Sequence, residues 1–163
     1  MGGHFAAELK YAGYDAVVIA GSAERPVYLW ITDQKAEILD ATRLWGLDTY
    51  QTQQMIWKLH GPKTRVMVIG RAGETKSRIA CILTDTGDAS GQGGYGGVMG
   101  SKNLRAIAVR GTQRPSFADP EKVKEIGKKV LEMLPGSALA QNLTEQAHTL
   151  QAPIGFADIV AKV

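Results

Sequence analysis

The residues best suited to chemistry lie in one glycine-rich stretch between two apolar runs. It contains Gly87, Gly91, Gly93, Gly94, Gly96, Gly97 and Gly100. Glycine carries a high ordering cost, so a folded chain keeps many together only where the backbone needs a positive φ or a large group approaches the main chain. A mobile linker is the alternative, but such linkers are usually filled with serine, and this stretch holds Tyr95, Val98 and Met99. We therefore expect a backbone cradle for a phosphate-bearing ligand.

The common nucleotide-binding and catalytic motifs do not fit this stretch. Residues 91–96 satisfy G-x-G-x-x-G, but six residues separate them from the preceding strand pattern, and no acidic residue ends the next one. A Walker loop needs Gly-Lys-Ser/Thr, and residues 100–102 read Gly-Ser-Lys. No Ser-His-Asp set has a spacing above chance. One cysteine and three distant histidines cannot form a usual metal site within this chain.

Length and composition are those of one globular domain, or of one domain and the start of another. The chain has 163 residues, of which 44% are hydrophobic and 21% charged. The net charge is +3 and the basic residues are scattered, so nucleic-acid binding is not expected. The sequence contains no membrane-spanning apolar run and no secretory signal. Cys81, inside an apolar run, suggests a reducing compartment. We expect a cytoplasmic protein that contacts no membrane.

The elements that must position the glycine stretch are short helices and strands. The patterns predict helices at 4–12 and 49–60, and strands at 15–20, 27–32, 36–39, 65–69, 77–84 and 104–109, the first two strands forming a hairpin. Residues 17–24 parallel residues 67–74, which predicts an internal duplication of a helix–strand–strand unit. Chance similarity of short Val/Ile strands is the alternative. The predicted class is α+β, with duplicated subdomains that form a mostly antiparallel sheet system.

A composition change near residue 116 predicts a domain boundary. Residues 1–115 would form the ligand-binding α+β domain, and residues 116–163 the beginning of an all-helical domain. Asp119 and Pro120 are typical of a helix N-terminus, and the apolar spacing carries that helix to Leu134. A weaker helix is predicted at 137–149. Residues 155–163 resemble a helix cut short, so we expect a fragment, with a compact domain with short termini as the alternative.

Three sequence blocks lie in an order and spacing that is specific. They are residues 2–16 (GGHFAAELKYAGYDA), 72–74 (AGE) and 93–109 (GGYGGVMGSKNLRAIAV). Together they resemble the N-terminal domain of the aldehyde ferredoxin oxidoreductase family, with the similarity covering residues 2–112. The resemblance implies a duplicated α+β domain on which two molybdopterin molecules chelate one tungsten, or sometimes molybdenum. It also implies a 4Fe–4S cluster, held by four cysteines in later helical domains that this chain lacks.

The resemblance implies that Gly2, Asp88, Ala89, Gly91 and Gln92 bind the cofactor. Gly2 matches a position that contacts the pterin, and Asp88, Ala89 and Gly91 match the loop that binds the pterin phosphates. Ala89 corresponds to a residue whose backbone carbonyl helps to hold a magnesium ion bridging those phosphates. Aldehyde-oxidising members carry arginine where Asp88 and Gln92 stand, so this chain differs from them at two cationic positions.

The implied protein is a tungsten-bis-molybdopterin oxidoreductase that oxidises aldehydes to carboxylic acids and reduces ferredoxin. Implied partners are ferredoxin, an aldehyde or acyl-CoA substrate, the remaining domains of the enzyme and a second copy in a homodimer. Two alternatives stay open: the tungsten subunit of an aryl-CoA (benzoyl-CoA) reductase, and a non-catalytic pterin- or anion-binding module. This chain alone is expected to be inactive. Glu74 and Asp85, the carboxylates expected near the site, are not assigned a catalytic role.

Overall fold

The computed structural model describes residues 3–33 and 35–134, and the chain divides into two compact units at residues 115 and 116. The first unit contains α1 (Phe5–Tyr11), β1 (Val27–Thr32), β2 (Lys35–Asp40), α2 (Thr49–His60), β3 (Arg65–Ile69), α3 (Arg71–Glu74), β4 (Ile82–Thr84), β5 (Ala89–Ser90), α4 (Tyr95–Ser101) and β6 (Leu104–Val109). The second unit contains α5 (Pro120–Met133).

The strands of the first unit form one six-stranded sheet in the order β2-β1-β6-β3-β4-β5. All neighbouring strands are antiparallel except β1 and β6, which are parallel. The predicted α+β class with a mostly antiparallel sheet is therefore confirmed. The last strand in sequence, β6, lies between β1 and β3 and joins the two halves of the chain. The glycine stretch leads directly into this central strand.

The strand predicted at residues 15–20 was wrong, and so was its hairpin with β1. The described structure has no strand there, and the side chain of Val18 is 93% exposed. The β-branched composition favours a strand, but a strand also needs a free neighbouring edge. Both edges of β1 are already occupied, one by β2 and the other by β6. The strand predicted at 77–84 is likewise reduced to its last three residues, and Ile79 is 86% exposed.

Helix α2 begins and ends where the sequence predicts. The Asp48 carboxylate accepts a hydrogen bond from the backbone N–H of Gln51 at 2.7 Å, and the Gln51 side chain accepts one from the Asp48 N–H at 3.1 Å. This reciprocal pair is a capping box, which satisfies two of the helix's free donors. Gly61 ends the helix with φ +91°. Ile56 is fully buried as expected, whereas Leu59, predicted on the same apolar side, is 64% exposed.

The core lies on both faces of the sheet because successive side chains of a strand point to opposite faces. On one face Ile56 of α2 packs with Val66 and Val68 of β3. On the other face Phe5 of α1 packs with Val109 of β6. The sheet therefore fixes α1 and α2 on opposite sides. Within residues 3–33 and 35–134, no helix has the length and apolar character that a membrane crossing requires.

The second unit begins with the predicted helix. The Asp119 side chain caps α5 by accepting a hydrogen bond from the Lys122 N–H at 2.9 Å, and Pro120 occupies the first turn. Val123 and Val130, on the predicted apolar stripe, are about half exposed in the described structure. The helices predicted at 137–149 and 155–163 lie outside the described residues. The assignment of residues 116–163 to an all-helical domain stays a prediction.

Candidate cofactor site

The downstream half of the glycine stretch is tightly packed against the protein's own backbone. A Cβ atom added to Gly96 would lie 2.5 Å from the carbonyl oxygen of Cys81, and one added to Gly100 would overlap the carbonyl oxygen of Gly73. Helix α4 thus approaches α3 and the segment before β4 more closely than any side chain would allow. Because folding itself requires these glycines, they give no information about a ligand.

The upstream half of the stretch is open. No described atom lies within 4 Å of a Cβ built on Gly87 or on Gly91. Ala89, Gly91 and Gln92 are exposed. The packing of the described residues therefore does not explain the glycine at position 91, whereas the close approach of a ligand to the backbone would. We call residues 88–92, which include four of the five predicted cofactor-binding residues, the open edge.

The hydrogen-bond pattern turns the Ala89 carbonyl away from the sheet. Strand β5 is the outermost strand, and Ala89 is paired with Leu83. The Thr84 N–H donates to the Asp88 carbonyl at 2.9 Å. Because hydrogen-bonded and non-hydrogen-bonded pairs alternate along an antiparallel ladder, Ala89 and Leu83 form a non-hydrogen-bonded pair. The Ala89 carbonyl thus points outward, where a hard cation could reach it.

The N-terminal arm, the described residues 3 and 4 that precede α1, lies against the turn at residues 85–87, which leads into the open edge. Gly3 has φ +77°, and a Cβ added to it would overlap the hydroxyl oxygen of Thr86. The same Cβ would lie 2.8 Å from Oδ2 of Asp88 and 3.3 Å from the hydroxyl oxygen of Thr84. Gly2 itself lies outside the described residues. Its neighbour nevertheless shows that the structure brings together two segments more than eighty residues apart in sequence, both predicted to contact the cofactor.

The side chain of Asp88 faces the turn at residues 85–87 and does not point outward from it. Its carboxylate accepts a hydrogen bond from the Thr86 hydroxyl at 2.5 Å, and its N–H donates to the Thr84 hydroxyl at 3.1 Å. The side chain of Gln92 carries no charge. The open edge therefore exposes backbone next to a glycine, which a phosphate group could approach, but positions 88 and 92 supply no positive side chain. Neutralisation would depend on backbone amides and a bound cation.

Two neighbouring elements hold the turn in place. The Gln53 side-chain amide of α2 donates to the Thr84 carbonyl at 3.1 Å, which accounts for the burial of this polar residue. Arg65 of β3 forms an ion pair of 2.8 Å with Asp85, whose side chain is 2% exposed. Asp85 is thus occupied by a structural partner. The sequence did not single out Thr84 and Thr86 as site residues, although the T-D-T-G-D pattern is typical of a side-chain-stabilised turn.

A buried arginine fixes the other side of the glycine stretch. Arg105 of β6 is fully buried and forms an ion pair of 2.7 Å with Glu74. Its guanidinium also donates to the Leu47 carbonyl and the Thr52 hydroxyl, each at 2.7 Å. Burial lowers the pKa of Arg105, and the Glu74 carboxylate opposes that shift. Glu74, like Asp85, is held by an ion pair. The signal in the sequence was the single charged residue within the apolar run 104–109.

Comparison with known proteins identifies the family. The family described as aldehyde ferredoxin oxidoreductase, N-terminal domain, matches residues 1–111. The chain is 45% identical over 134 residues to a tungsten-containing aldehyde ferredoxin oxidoreductase of Pyrococcus horikoshii, covering 82% of this chain and 22% of that protein. It is 44% identical over 131 residues to the WOR-like subunit of an aliphatic sulfonate oxidoreductase of Pyrococcus furiosus, covering 72% of this chain and 21% of that protein.

A solved structure has the same fold. The active-site complex BamBC of benzoyl-coenzyme A reductase, in complex with 1,5-dienoyl-CoA, superimposes with a TM-score of 0.78 and 39% identity, covering 81% of this chain and 20% of that chain. The chain spans about a fifth of the length of these relatives. On both sequence and structure, the chain belongs to the aldehyde ferredoxin oxidoreductase family and contains its N-terminal domain.

Proposed function

We propose that this chain is the cofactor-binding part of a tungsten-bis-molybdopterin oxidoreductase that oxidises aldehydes to carboxylic acids, with ferredoxin as the electron acceptor. The observation that carries the proposal is the open edge. No described atom lies within 4 Å of a Cβ added to Gly91, and the N-terminal arm at Gly3 packs against Asp88 of the same edge. Family membership and the name of the Pyrococcus horikoshii relative support tungsten and the aldehyde reaction.

The chain's own residues would bind and orient the cofactor. Gly2 would contact the pterin from the N-terminal arm, and Gly91 and Gln92 would contact it through the open edge. Asp88, whose carboxylate faces the turn, would line the cofactor loop beside them. The outward carbonyl of Ala89 would help to hold a magnesium ion that neutralises the phosphates, because hard cations prefer oxygen ligands. Molybdenum could replace tungsten in the same site. The metal–pterin group, when bound, supplies the two-electron redox chemistry, while the protein supplies positioning and electrostatics.

The reaction also requires parts of the protein beyond this domain. In aldehyde oxidation water supplies the second oxygen of the carboxylic acid, and two electrons and two protons leave. The electrons would pass through a 4Fe–4S cluster to ferredoxin. This chain contains a single cysteine, Cys81, so the four cluster ligands would come from the remaining domains. Association as a homodimer belongs to the same proposal.

A second candidate is the tungsten subunit of an aryl-CoA reductase. The observation that favours it is the structural match to the benzoyl-coenzyme A reductase complex, at 39% identity. The acidic and neutral side chains of Asp88 and Gln92 also separate this chain from the aldehyde-oxidising pattern. This candidate keeps the cofactor edge and replaces the aldehyde with an aryl-CoA thioester.

Substrate assays on the complete protein that carries this chain, purified without oxygen, would test the proposal. We expect aldehyde-dependent reduction of ferredoxin. Activity with an aryl-CoA thioester and none with aldehydes would contradict the proposal and favour the second candidate. Bound pterin without either activity would contradict both and favour a non-catalytic pterin-binding module.

A further inference from the structure

We infer that Gly3 is a positioning residue for the cofactor site, which holds the N-terminal arm and the open edge together as one binding surface. This inference rests on the proposed function, because the surface it positions is the one proposed to bind the pterin phosphates. Gly3 itself is assigned no contact with the cofactor. It acts through Asp88 of the open edge, against which it packs.

The contact is one that only glycine can make. Three side-chain oxygens, those of Thr84, Thr86 and Asp88, surround the α-carbon of Gly3 on the side where a Cβ would stand. We call these three oxygens the Gly3 seat. They are joined to one another, since the Thr86 hydroxyl bonds to the Thr84 hydroxyl at 3.0 Å and to the Asp88 carboxylate at 2.5 Å. A larger side chain at position 3 would therefore displace a connected network.

The arm cannot move away easily, because α1 is fixed on its other side. Glu8 of α1 is 7% exposed and accepts hydrogen bonds from Arg110 at 2.5 Å and from the Gly111 N–H at 3.0 Å. Gly111 in turn leaves no room for a Cβ against the backbone between Tyr11 and Ala12. The position of Gly3 is thus set from the C-terminal end of β6 as well as from the turn.

An alanine at position 3 should separate the N-terminal arm from the turn. It would have to adopt φ +77° and would overlap Thr86, so the arm, the turn or both must shift. A displacement near 1 Å is enough to disturb a binding geometry that depends on several fixed groups. The described part of the N-terminal arm and the turn with Asp88 would then no longer be held against each other.

The test compares Gly3→Ala with Gly21→Ala in the complete protein purified without oxygen. Gly21 has φ +72°, and no described atom lies within 4 Å of its added Cβ, so the control carries the same backbone strain without the overlap. We expect Gly3→Ala to lower the pterin and tungsten content about tenfold, as loss of an outer-shell contact does at metal sites. Gly21→Ala should keep the wild-type content. Equal contents in both variants would overturn the inference.

A second variant, compared in protein whose unfolding in urea matches that of the wild type, separates positioning from folding. If Gly3→Ala does not fold, Thr86→Val carries the test, because it keeps the volume of the seat and removes its hydrogen bonds. Wild-type pterin content in Thr86→Val would then overturn it. A wild-type protein without pterin would contradict the proposed function, and this inference with it.

Discussion

The guanidinium of Arg105 and the carboxylate of Glu74 form an ion pair of 2.7 Å in which neither side chain is more than 8% exposed. The pair joins the central strand β6 to α3, the helix on which the tightly packed half of the glycine stretch rests. The Glu74 carboxylate also accepts the Gly46 N–H at 2.8 Å, which connects the loop before α2. One buried charge pair therefore fixes three elements around the glycine stretch.

Replacing Arg105 with alanine should destabilise the first unit strongly. The change leaves Glu74 buried without its partner, and breaking a buried pair in this way costs about 3–5 kcal/mol. Lys35→Ala is the control, because the Lys35–Glu37 pair is exposed and should contribute less than about 1 kcal/mol. The measurement is the free energy of unfolding in urea. Equal losses in the two variants would show that the buried pair does not hold the unit together.

Alanine substitutions should separate the two halves of the glycine stretch. Gly100→Ala places a Cβ on the Gly73 carbonyl, and we expect a loss of about 3 kcal/mol in unfolding free energy. Gly91→Ala meets no described atom within 4 Å, so its stability should stay within about 0.5 kcal/mol of wild type. Its pterin content should nevertheless fall, because the Cβ occupies the ligand side of the open edge. A stable Gly91→Ala protein with full pterin content would contradict this division.

Some elements of the fold could be predicted from the sequence, whereas others could not. Helix α2 and strand β1 were predictable because their signals are local: a capping residue at Asp48, a terminating Gly61 and a β-branched run. The failure at residues 15–20 has a non-local cause. Their composition suits a strand, but the edges of β1 are taken by β2, a near neighbour, and by β6, which follows more than seventy residues later.

The distinction between local signals and non-local contacts also applies to the site. The glycine stretch was recognisable, and the resemblance assigned roles to Asp88, Ala89 and Gly91. The sequence could not show that Gly100 packs on Gly73, because that contact depends on how α4 is placed against α3, nor that no described atom lies beside Gly91. The role of Gly3 was hidden for the same reason, since its partners lie more than eighty residues away.

The stability of the first unit should fall as the pH drops below the ordinary histidine pKa. The His60 ring stacks on Trp30 with ring centroids 3.9 Å apart, and its Nε2 lies 2.8 Å from the Tyr28 hydroxyl. Burial lowers the pKa of His60 from its usual 6.5. The unfolded chain therefore binds the proton first as the pH falls. The stabilisation is complete above the unfolded pKa and is lost between that value and the lower folded pKa.

His60→Gln provides the control for this pH effect. Glutamine keeps a hydrogen-bonding group near Tyr28 but does not titrate. Urea unfolding measured from about pH 5 to pH 8 should show a steeper loss of stability at acid pH in the wild type than in the variant. Identical pH profiles would mean that His60 titrates alike in the folded and unfolded states.

An arginine at position 92, the residue that the resemblance implies for aldehyde-oxidising relatives, should strengthen cofactor retention. Gln92 is exposed in the open edge, so Gln92→Arg can add a positive charge beside the phosphates without disturbing the Gly3 seat. We expect a gain of about 1 kcal/mol, or roughly fivefold slower loss of pterin on dialysis at low salt. Gln54→Arg, on the exposed side of α2, adds the same charge elsewhere and should have no effect. Faster loss from Gln92→Arg than from Gln54→Arg would contradict a phosphate at this edge.

The central claim is that this domain binds a tungsten–pterin cofactor at the open edge. The most direct measurement is metal analysis combined with pterin fluorescence on the complete protein purified without oxygen. The account predicts tungsten, or molybdenum in its place, together with two pterins for each metal atom. Protein that contains no tungsten, no molybdenum and no pterin would contradict this account.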